Sequence, residues 1–242
     1  MSSISLTSVT FDTLDENLAL DEALLLSAEA GESGEVLRFW EWPKYAVVLG
    51  AGGSIAIDLN EDACRADGVP IHRRASGGGT VLLGRGCLLF SLVLSYARAA
   101  ELRDVNASYR WILRRICDAL RPIAMIEHAG TSDLAVAGRK VSGNAQQRKA
   151  RNLLHHGSLL YDFDLRQVST YLKQPEREPA YREAREHAEF VTNLGCTADE
   201  LMRLIGNAFD AVPANINAAA TERVPSLIAE RYSQTEWVRR RS

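Results

Sequence analysis

The sequence predicts an α+β fold in which a mixed or antiparallel β-sheet core is flanked by helices. Helix-like and strand-like stretches occur in separate blocks rather than in alternating βαβ units. No internal repeat recurs, and no Ser/Gly linker divides the 242 residues. We therefore expect one domain over residues 1–242, in which 176–242 form a mostly helical segment. A doubly wound nucleotide-binding sheet is disfavoured.

Capping residues and apolar periodicity predict four helices. Thr13 and Glu16 are spaced as a capping box before a run of leucines. Asn60 and Gly68 bracket a short helix, and Pro122 stops a longer one. The predicted helices cover residues 15–30, 60–68, 104–121 and 164–172.

Apolar runs between glycine and proline punctuation predict the strands. Pro43 separates the first two, because proline cannot donate to a strand ladder. The predicted strands cover residues 36–40, 45–49, 80–83, 87–95, 134–136, 141–145 and 153–160. A charged loop is expected at 147–151, before the last of them.

The composition excludes several classes of protein. The chain has 46% hydrophobic and 24% charged residues, which are the proportions of a globular protein. Its 28 Lys+Arg and 31 Asp+Glu give a net charge of −3, so no overall basic field favours nucleic acid or an acidic membrane. The longest nearly uncharged stretch, 86–97, is shorter than the ~20 residues of a membrane span. The N-terminal sequence has neither a signal nor a transit pattern, which makes the cytoplasm the expected compartment.

The cysteines lie far apart, without a CxxC pair or a histidine at metal-ligand spacing. We therefore expect free thiols rather than a zinc site or a disulfide framework. The four residues are Cys64, Cys87, Cys117 and Cys196.

Arg73 and Arg74 precede three consecutive glycines at 77–79. Ordered glycines cost backbone entropy, so such a run is best explained by a loop whose N–H groups approach an anion. The two arginines alternate faces at the end of a strand. One is therefore expected to point into the site while the other faces solvent or pairs with a carboxylate. A plain glycine-rich hairpin is an equal alternative, and the run matches neither a P-loop nor a Rossmann motif.

Two further segments are candidates for chemistry. Lys140 follows the turn at Gly138, so a short, rigid tether presents its ammonium to a phosphate or carbonyl oxygen. A surface lysine in a hairpin is the simpler alternative. His155 and His156 are adjacent in a strand and face opposite ways, so at most one lines a given pocket. A hydrogen-bonded structural histidine is the alternative for either.

Four motifs together carry a resemblance to a known family. In chain order they are ENLALDEALL (16–25), RRASGGGTV (73–81), SDLAVAGRKVSGNAQ (132–146) and HHGSLLYDFDL (155–165). Over about residues 14–172 the chain resembles the lipoate-protein ligase A family of the biotin/lipoate ligase and octanoyltransferase superfamily, in a short form without the C-terminal accessory domain. The resemblance implies a biotin/lipoate ligase-like catalytic domain.

The activity that this resemblance implies is ATP-dependent. An ATP-dependent lipoate-protein ligase activates lipoate or octanoate as an acyl-adenylate, with Mg²⁺, and transfers the acyl group to a lysine. The implied acceptor is a lipoyl domain or a glycine cleavage H-type protein. A separate accessory protein is a further expected partner, whereas nucleic acid and membrane are not.

The resemblance also assigns roles to residues. Lys140 takes the catalytic role, through contacts with the acyl carbonyl and adenylate oxygens. Strands 81–83 and 88–94 have the composition for one wall of an apolar acyl slot. No metal ligands are identified. The acyl- and phosphate-binding residues are Arg73, Arg74, Ser76, Gly77, Gly78, Gly79, Asp133, Ser142, Gly143, His156 and Gly157.

Departures from the family's motifs leave competing activities open. Ala51 stands where the family often has a basic phosphate contact, and Leu83 and Cys87 stand where its ligases commonly have His and Asn. A transferase that uses a cysteine thioester without ATP needs a thiolate. The two known nucleophile neighbourhoods, 124–128 and 169–173, contain no cysteine.

Two interpretations of single features remain open beside the ligase. Cys87 is the remaining candidate nucleophile, against a buried structural thiol. The charged segment 178–187 either covers the pocket or contacts the acceptor, with a solvated helix face as the simpler interpretation. A non-catalytic acyl- or nucleotide-binding module is the alternative from a different functional class.

Overall fold

The computed structural model describes residues 3–176 and 178–241. Residues 1, 2, 177 and 242 belong to the ranges predicted above but lie outside the described part. No helix within these described ranges is long and apolar enough to cross a membrane.

The strands form two sheets. They are β1 Ile4–Thr7, β2 Val36–Glu41, β3 Ala46–Leu49, β4 Ile71–Arg73, β5 Val81–Leu83, β6 Cys87–Ser95, β7 Ile126–Ala129, β8 Asp133–Val136, β9 Arg139–Arg148, β10 Asn152–Leu160 and β11 Ala211–Pro213. The large sheet has the order β11-β1-β2-β6-β10-β9-β8-β7, and the small sheet has the order β4-β3-β5. β1 runs parallel to β2 and β11, and β3 runs parallel to β4, whereas the remaining pairs are antiparallel. This confirms the predicted α+β fold with a mixed sheet.

Helices flank both sides of the large sheet. They are α1 Leu14–Ala30, α2 Ile55–Asp58, α3 Glu61–Ala66, α4 Val105–Leu120, α5 Arg166–Tyr171, α6 His187–Phe190, α7 Ala198–Ala208, α8 Ala218–Leu227 and α9 Thr235–Arg239. Short 3₁₀ turns lie at Ala100–Arg103 and Ala180–Arg182, and a π-helical turn at Ile228–Tyr232 continues α8.

The two longest helices lie within a residue or two of their predicted bounds, and hydrogen bonds cap their ends. Glu16 N–H donates to Thr13 Oγ1 over 3.2 Å, and Thr13 N–H donates to Glu16 Oε2 over 2.9 Å, which is the capping box of α1. Gly31, with φ of 80°, ends α1 in the left-handed conformation that glycine adopts without strain. Asp104 caps α4 by accepting a 2.7 Å hydrogen bond from Ala107 N–H.

Alternate residues of β6 face two hydrophobic cores on opposite sides of the large sheet. Leu89 and Val93 pack in a core with α1, α8 and the small sheet. Phe90 and Leu92 pack in a second core with α4 and α7. The predicted apolar wall at 88–94 is therefore divided between the two cores, and only alternate residues face the small sheet.

Glu22 of α1 joins the C-terminal helices to the large sheet. Its carboxylate accepts 2.6 Å hydrogen bonds from Arg231 Nη1 and a 2.9 Å bond from the Tyr232 hydroxyl. Gln147 Nε2 of β9 donates to the same carboxylate over 3.1 Å. Glu22 is buried, and these hydrogen bonds offset the cost of removing its carboxylate from water.

The structure differs from the sequence-based elements in several places. Strands β1, β7 and β11 were not predicted, because each has only three or four residues, which is too short for a clear strand pattern. β9 extends through Arg148, so the predicted loop 147–151 is shorter. Arg148 belongs in the strand because it pairs with Leu153 of β10, and its guanidinium donates to the carbonyl oxygens of Leu102 and Arg103. The helix predicted from residue 164 begins later, at Arg166.

Candidate functional site

A β-bulge between β8 and β9 determines which way Lys140 points. Asp133 of β8 pairs with Gly143 of β9, whereas Ala135, two residues on, pairs with Lys140, three residues back. β9 therefore contains one extra residue at this point. In a regular strand Lys140 and Gly143 would face opposite sides of the sheet, and the inserted residue brings them to one side.

The Lys140 ammonium lies between Gly143 and Asp133. A Cβ at position 143 would stand 2.9 Å from Lys140 Nζ and would displace the ammonium. Nζ forms an ion pair of 2.8 Å with Asp133 Oδ1, and the two side chains are 30% and 11% exposed. The ammonium is thus accessible to a ligand while its counter-ion is largely covered. Three of the predicted site residues are brought together here.

Tyr181 is hydrogen-bonded to the other carboxylate oxygen of Asp133. Its hydroxyl donates to Asp133 Oδ2 over 2.9 Å. Burial and the neighbouring Asp133 charge raise the pKa of Tyr181, which keeps the phenol protonated as the donor. No motif marked Tyr181 as a site residue. Its position inside the charged segment 178–187 was the available signal.

The solvated-helix interpretation of segment 178–187 is wrong. Arg182 and His187 are buried. Arg185 Nη2 donates to Gly138 O over 2.9 Å, which holds the segment against the turn that precedes Lys140. The segment covers this end of the site because Arg185 ties it to the β8–β9 turn and Tyr181 ties it to Asp133.

Arg74 is hydrogen-bonded to the triglycine loop, which we define as residues 76–79. Its Nη2 donates to the carbonyl oxygens of Gly77 and Gly79 over 2.7 and 2.8 Å. Its Nε donates to Ser76 Oγ over 3.0 Å, and its Nη1 donates to Val48 O over 3.2 Å. Burial lowers the pKa of Arg74 to about 10, so the guanidinium still carries its charge at neutral pH.

The N–H groups of the triglycine loop are available to a ligand. Those of Gly77, Gly78 and Gly79 donate no hydrogen bond to any atom of residues 3–176 and 178–241. Gly78 has φ of 85°, in the left-handed region that favours glycine. Successive unpaired N–H groups above a buried guanidinium form the kind of concavity that binds anions.

The triglycine loop and Lys140 meet on the same side of β9. A Cβ on Gly78 would stand 3.1 Å from Ala145 Cβ, and Lys140 Nζ lies against Gly143. Positions 143 and 145 are two residues apart in one strand, so they face the same side and lie about 7 Å apart. The free N–H groups and the ammonium therefore flank one patch of the sheet.

Arg73 supports a second turn, residues 50–53. Its Nη1 donates to Gly50 O over 3.0 Å and to Gly53 O over 2.7 Å. The expectation that either Arg73 or Arg74 faces solvent or pairs with a carboxylate is wrong. Both side chains are buried and donate to backbone or hydroxyl oxygens, because tight glycine turns leave buried carbonyl groups that need donors.

The turn at 50–53 packs directly on the triglycine loop. A Cβ on Gly50 would stand 2.1 Å from Gly78 O, which excludes any larger residue at position 50. Ala51 N–H donates to Ser76 O over 2.8 Å. Arg73, Arg74 and the turn at 50–53 therefore support the triglycine loop together.

His156 stands beside the triglycine loop. Its Nε2 lies 2.5 Å from Ser76 Oγ, and it pairs with Ala145 across β9 and β10. Burial, and next the positive charge of Arg74, keep the pKa of His156 well below 6.5, so its imidazole is neutral near pH 7. The adjacent His155 faces the opposite core, as alternation along a strand requires.

Two predicted site residues, Ser142 and Gly157, do not face Lys140. Ser142 and Asn144 alternate with Gly143 and so lie on the opposite side of β9. Asn144 Nδ2 donates to Ser142 Oγ over 3.1 Å. A Cβ on Gly157 would stand 2.1 Å from Asn144 Oδ1, so a glycine at this position leaves space for the Asn144 side chain on the side of the sheet opposite Lys140.

The candidate nucleophile Cys87 is remote from this patch. It lies four residues along β6 from Ser91, the pairing partner of His156, which is about 13 Å. Burial raises the pKa of Cys87 to about 12. Burial also raises the pKa of the other thiols, which belong to Cys64, Cys117 and Cys196. All four are free, as predicted.

The described residues hold no group of three or more His, Cys, Asp or Glu side chains placed to bind a metal ion. Mg²⁺ bound through phosphate oxygens keeps several waters and takes only one or two carboxylates from a protein. Asp133 is the carboxylate that this patch offers, and its oxygens are shared with Lys140 and Tyr181.

Comparison with known proteins finds one family and several relatives. A family described as the lipoyl protein ligase A/B catalytic domain matches residues 13–207. The probable lipoate-protein ligase A of Mycoplasma pneumoniae is 24% identical over 231 residues, which cover 91% of this chain and 67% of the relative. Octanoyltransferase LipM of Symbiobacterium thermophilum is 30% identical over 190 residues, which cover 69% of this chain and 68% of the relative.

Solved structures share the fold. A putative lipoate protein ligase from T. acidophilum with bound lipoic acid has a TM-score of 0.83 and 21% identity, with 99% of each chain covered. A lipoate-protein ligase A bound with ATP has a TM-score of 0.86 and 22% identity, with 98% of this chain and 99% of that chain covered. At these identities the similarity concerns the fold, and it agrees with the predicted lipoate ligase-like architecture.

Proposed function

This chain belongs to the lipoyl protein ligase A/B catalytic domain family, and on that premise we propose that it is an ATP-dependent lipoate-protein ligase. The carboxylate of lipoate or octanoate attacks the α-phosphorus of ATP, and pyrophosphate leaves. The ε-amine of an acceptor lysine then attacks the acyl carbon, and AMP leaves. The acceptor is a lipoyl domain or a glycine cleavage H-type protein. Residues 1–242 act as one catalytic domain.

One observation carries the proposal: Lys140 and the free N–H groups of the triglycine loop flank the same patch of β9. Both chemical steps place negative charge on oxygens, first around the α-phosphorus and then on the acyl carbonyl. Donors that are already oriented stabilise this charge without reorganising during the reaction. Lys140 supplies the charge for the acyl carbonyl and adenylate oxygens, and the loop supplies N–H donors for phosphate.

Supporting residues keep these donors in place. Asp133 orients Lys140 through the 2.8 Å ion pair, and Tyr181 orients Asp133. Arg74 holds the loop carbonyls, and neutral His156 engages Ser76. The residues that surround the patch thus fit a carboxylate and a polyphosphate, and ATP supplies the leaving group that makes the acyl carbon reactive.

The state of the cysteines favours a ligase over a thioester transferase. A transferase needs a thiolate within reach of the acyl group. Burial holds the pKa of Cys87 near 12, and its strand position is about 13 Å from the partner of His156. The pKa of each remaining thiol is also raised.

A mass measurement tests the proposal. The protein is incubated with lipoate, ATP, Mg²⁺ and an apo lipoyl domain, and the lipoyl domain is weighed. We expect a lipoyl adduct that depends on ATP. No adduct under these conditions, together with an adduct from octanoyl carrier protein, would instead establish the transferase.

The octanoyltransferase remains the second candidate because Octanoyltransferase LipM of S. thermophilum is 30% identical to this chain. In that reaction Cys87 would carry the acyl group as a thioester. An octanoyl group found on Cys87 by peptide mass spectrometry after incubation with octanoyl carrier protein would support it. A non-catalytic binding module is supported instead if neither lipoate with ATP nor octanoyl carrier protein yields an adduct and the protein still binds lipoate.

A further inference from the structure

The segment 234–241, which we call the arginine segment, is anchored across the turn at 50–53. Trp237 Nε1 donates to Arg73 O over 2.9 Å. Arg73 Nε and Nη2 donate in return to Val238 O over 3.0 and 2.8 Å. Ile55 N–H donates to Arg241 O over 3.1 Å. Hydrogen bonds within α9 and just after it thus fix the position of this backbone against the turn.

Two guanidinium groups of the arginine segment bind the turn itself. Arg240 Nη2 donates to Ala51 O, and Arg240 also stacks over the Trp237 ring at 4.0 Å. Arg241 Nη1 donates to Gly52 O over 3.2 Å. Both side chains are exposed. A guanidinium has five N–H donors, so each keeps donors for a ligand.

Within residues 3–176 and 178–241, no ion pair compensates the charge of Arg240 or Arg241. Neither forms an ion pair with a carboxylate of the residues that the structure describes, whereas their neighbour Arg239 pairs with Glu61 over 2.7 Å. Arg241 is the next largest cause, after burial, that lowers the pKa of Arg240. Two like charges held on one turn favour an anion between them.

The same turn leads to the triglycine loop. Ala51 accepts from Arg240 through its carbonyl and donates through its N–H to Ser76 O over 2.8 Å. Only the residue Ala51 therefore separates the Arg240 guanidinium from Ser76 O of the loop, a distance of roughly 10 Å or less. Ala51 itself carries no charge and the guanidinium of Arg73 is buried, so the exposed positive charge at this turn comes from the arginine segment.

We propose that Arg240 and Arg241 form a polyphosphate subsite beside the triglycine loop, which holds the outer phosphates of ATP and the pyrophosphate that leaves. The inference rests on the proposed ligase function and adds residues to its phosphate site. The planar guanidinium matches phosphate oxygens in a bidentate manner. An acidic protein surface is a poorer occupant, because the exposed arginines adjoin free backbone N–H groups, which suit a small anion that reaches both.

Isothermal titration with inorganic pyrophosphate tests the subsite without requiring turnover. The test variant is the double substitution Arg240→Gln and Arg241→Gln, and Arg239→Gln is the matched control from the same segment. We expect the double variant to bind pyrophosphate roughly 10- to 100-fold more weakly, since each charged hydrogen bond contributes about a tenfold factor or more. The control should bind as the wild type does. In turnover, KM for ATP should rise while KM for lipoate stays unchanged.

Three results would overturn the subsite: wild-type protein that does not bind pyrophosphate, a double variant that binds it normally, or an equal loss in Arg239→Gln. Normal pyrophosphate binding with a raised KM for the lipoyl domain would also overturn it and would indicate a protein-docking surface. Failure of the ligase proposal looks different. In that case the wild type binds pyrophosphate through these arginines yet forms no lipoyl adduct with ATP.

Discussion

Lys140 and Asp133 form a 2.8 Å ion pair across the β8–β9 bulge, and the extra residue in β9 is what puts their side chains on one side of the sheet. The pair places a partly exposed ammonium against a largely covered carboxylate. The exposed partner is available to a ligand, and the covered partner limits the orientations of that ammonium. This geometry makes Lys140 the residue whose removal is most informative.

Lys140→Ala should abolish most lipoyl transfer. Removing one oriented donor from developing negative charge typically costs ~10²–10³ in rate. The measurement is the initial rate of lipoyl-domain modification with ATP and lipoate. Lys149→Ala, at an exposed lysine in the β9–β10 loop, is the matched control and should retain the wild-type rate. Full activity of Lys140→Ala would contradict the proposed site.

Tyr181→Phe should loosen the segment that covers Asp133. The substitution removes the 2.9 Å hydrogen bond to Asp133 Oδ2, and a hydrogen bond to a charged group contributes about 1.5–3 kcal/mol. Hydrogen–deuterium exchange of peptides from 178–190 should become faster. Tyr161→Phe, which removes a 2.6 Å hydrogen bond to Glu41, is the control and should leave these peptides unchanged. Unaltered exchange in Tyr181→Phe would show that other contacts hold the segment.

Gly50→Ala should displace the triglycine loop. The added Cβ would stand 2.1 Å from Gly78 O, a backbone atom that cannot rotate away. We expect a loss of about 1–3 kcal/mol in the free energy of unfolding, measured by urea denaturation, with impaired pyrophosphate binding. Gly52→Ala is the matched control, because a Cβ there meets nothing within 4 Å. Equal stability of the two variants would contradict the packing of the turns.

Cys87→Ala should leave ATP-dependent lipoyl transfer within about threefold of the wild-type rate. The thiol is buried in the core beside α1, and burial raises its pKa to about 12. It therefore contributes packing rather than a nucleophile. The rate of lipoyl transfer and the melting temperature are measured on the same preparation. Lost transfer at an unchanged melting temperature would return Cys87 to the role of nucleophile.

Local patterns predicted those parts of the fold whose residues are close in sequence. The capping box at Thr13, the end of α4 before Pro122 and the strand after the triglycine loop follow from local sequence alone. Lys140, Asp133 and Gly143 lie within eleven residues, and the motif that contains them placed all three at the site. The bulge that brings these three side chains to one side could not be predicted, because it depends on the register between β8 and β9 and not on the residue types.

The same bulge turns Ser142 away from Lys140, although the resemblance placed Ser142 among the binding residues. Strand alternation alone puts Lys140 and Ser142 on one side, whereas the inserted residue turns Ser142 to the other. Tyr181 and Arg240 were missed for a different reason. Each reaches the site from a distant part of the chain, and only tertiary packing brings it there.

Acid should destabilise the protein in part through His155, one of two adjacent histidines of β10 whose pKa burial lowers. Burial lowers the pKa of His155 from 6.5 to about 3, so the folded protein keeps this imidazole neutral while the unfolded chain protonates it below pH 6.5. The stabilisation is complete above pH 6.5 and is lost as the pH falls toward 3, at about 1.4 kcal/mol per pH unit. Between pH 7 and pH 5 this histidine should cost about 2 kcal/mol, measured by urea denaturation. His155→Gln should reduce that pH dependence, while His156 keeps its own contribution, whereas His128→Gln, at a less buried position, should leave the pH dependence unchanged. An unchanged pH dependence in His155→Gln would mean that other groups dominate the acid response.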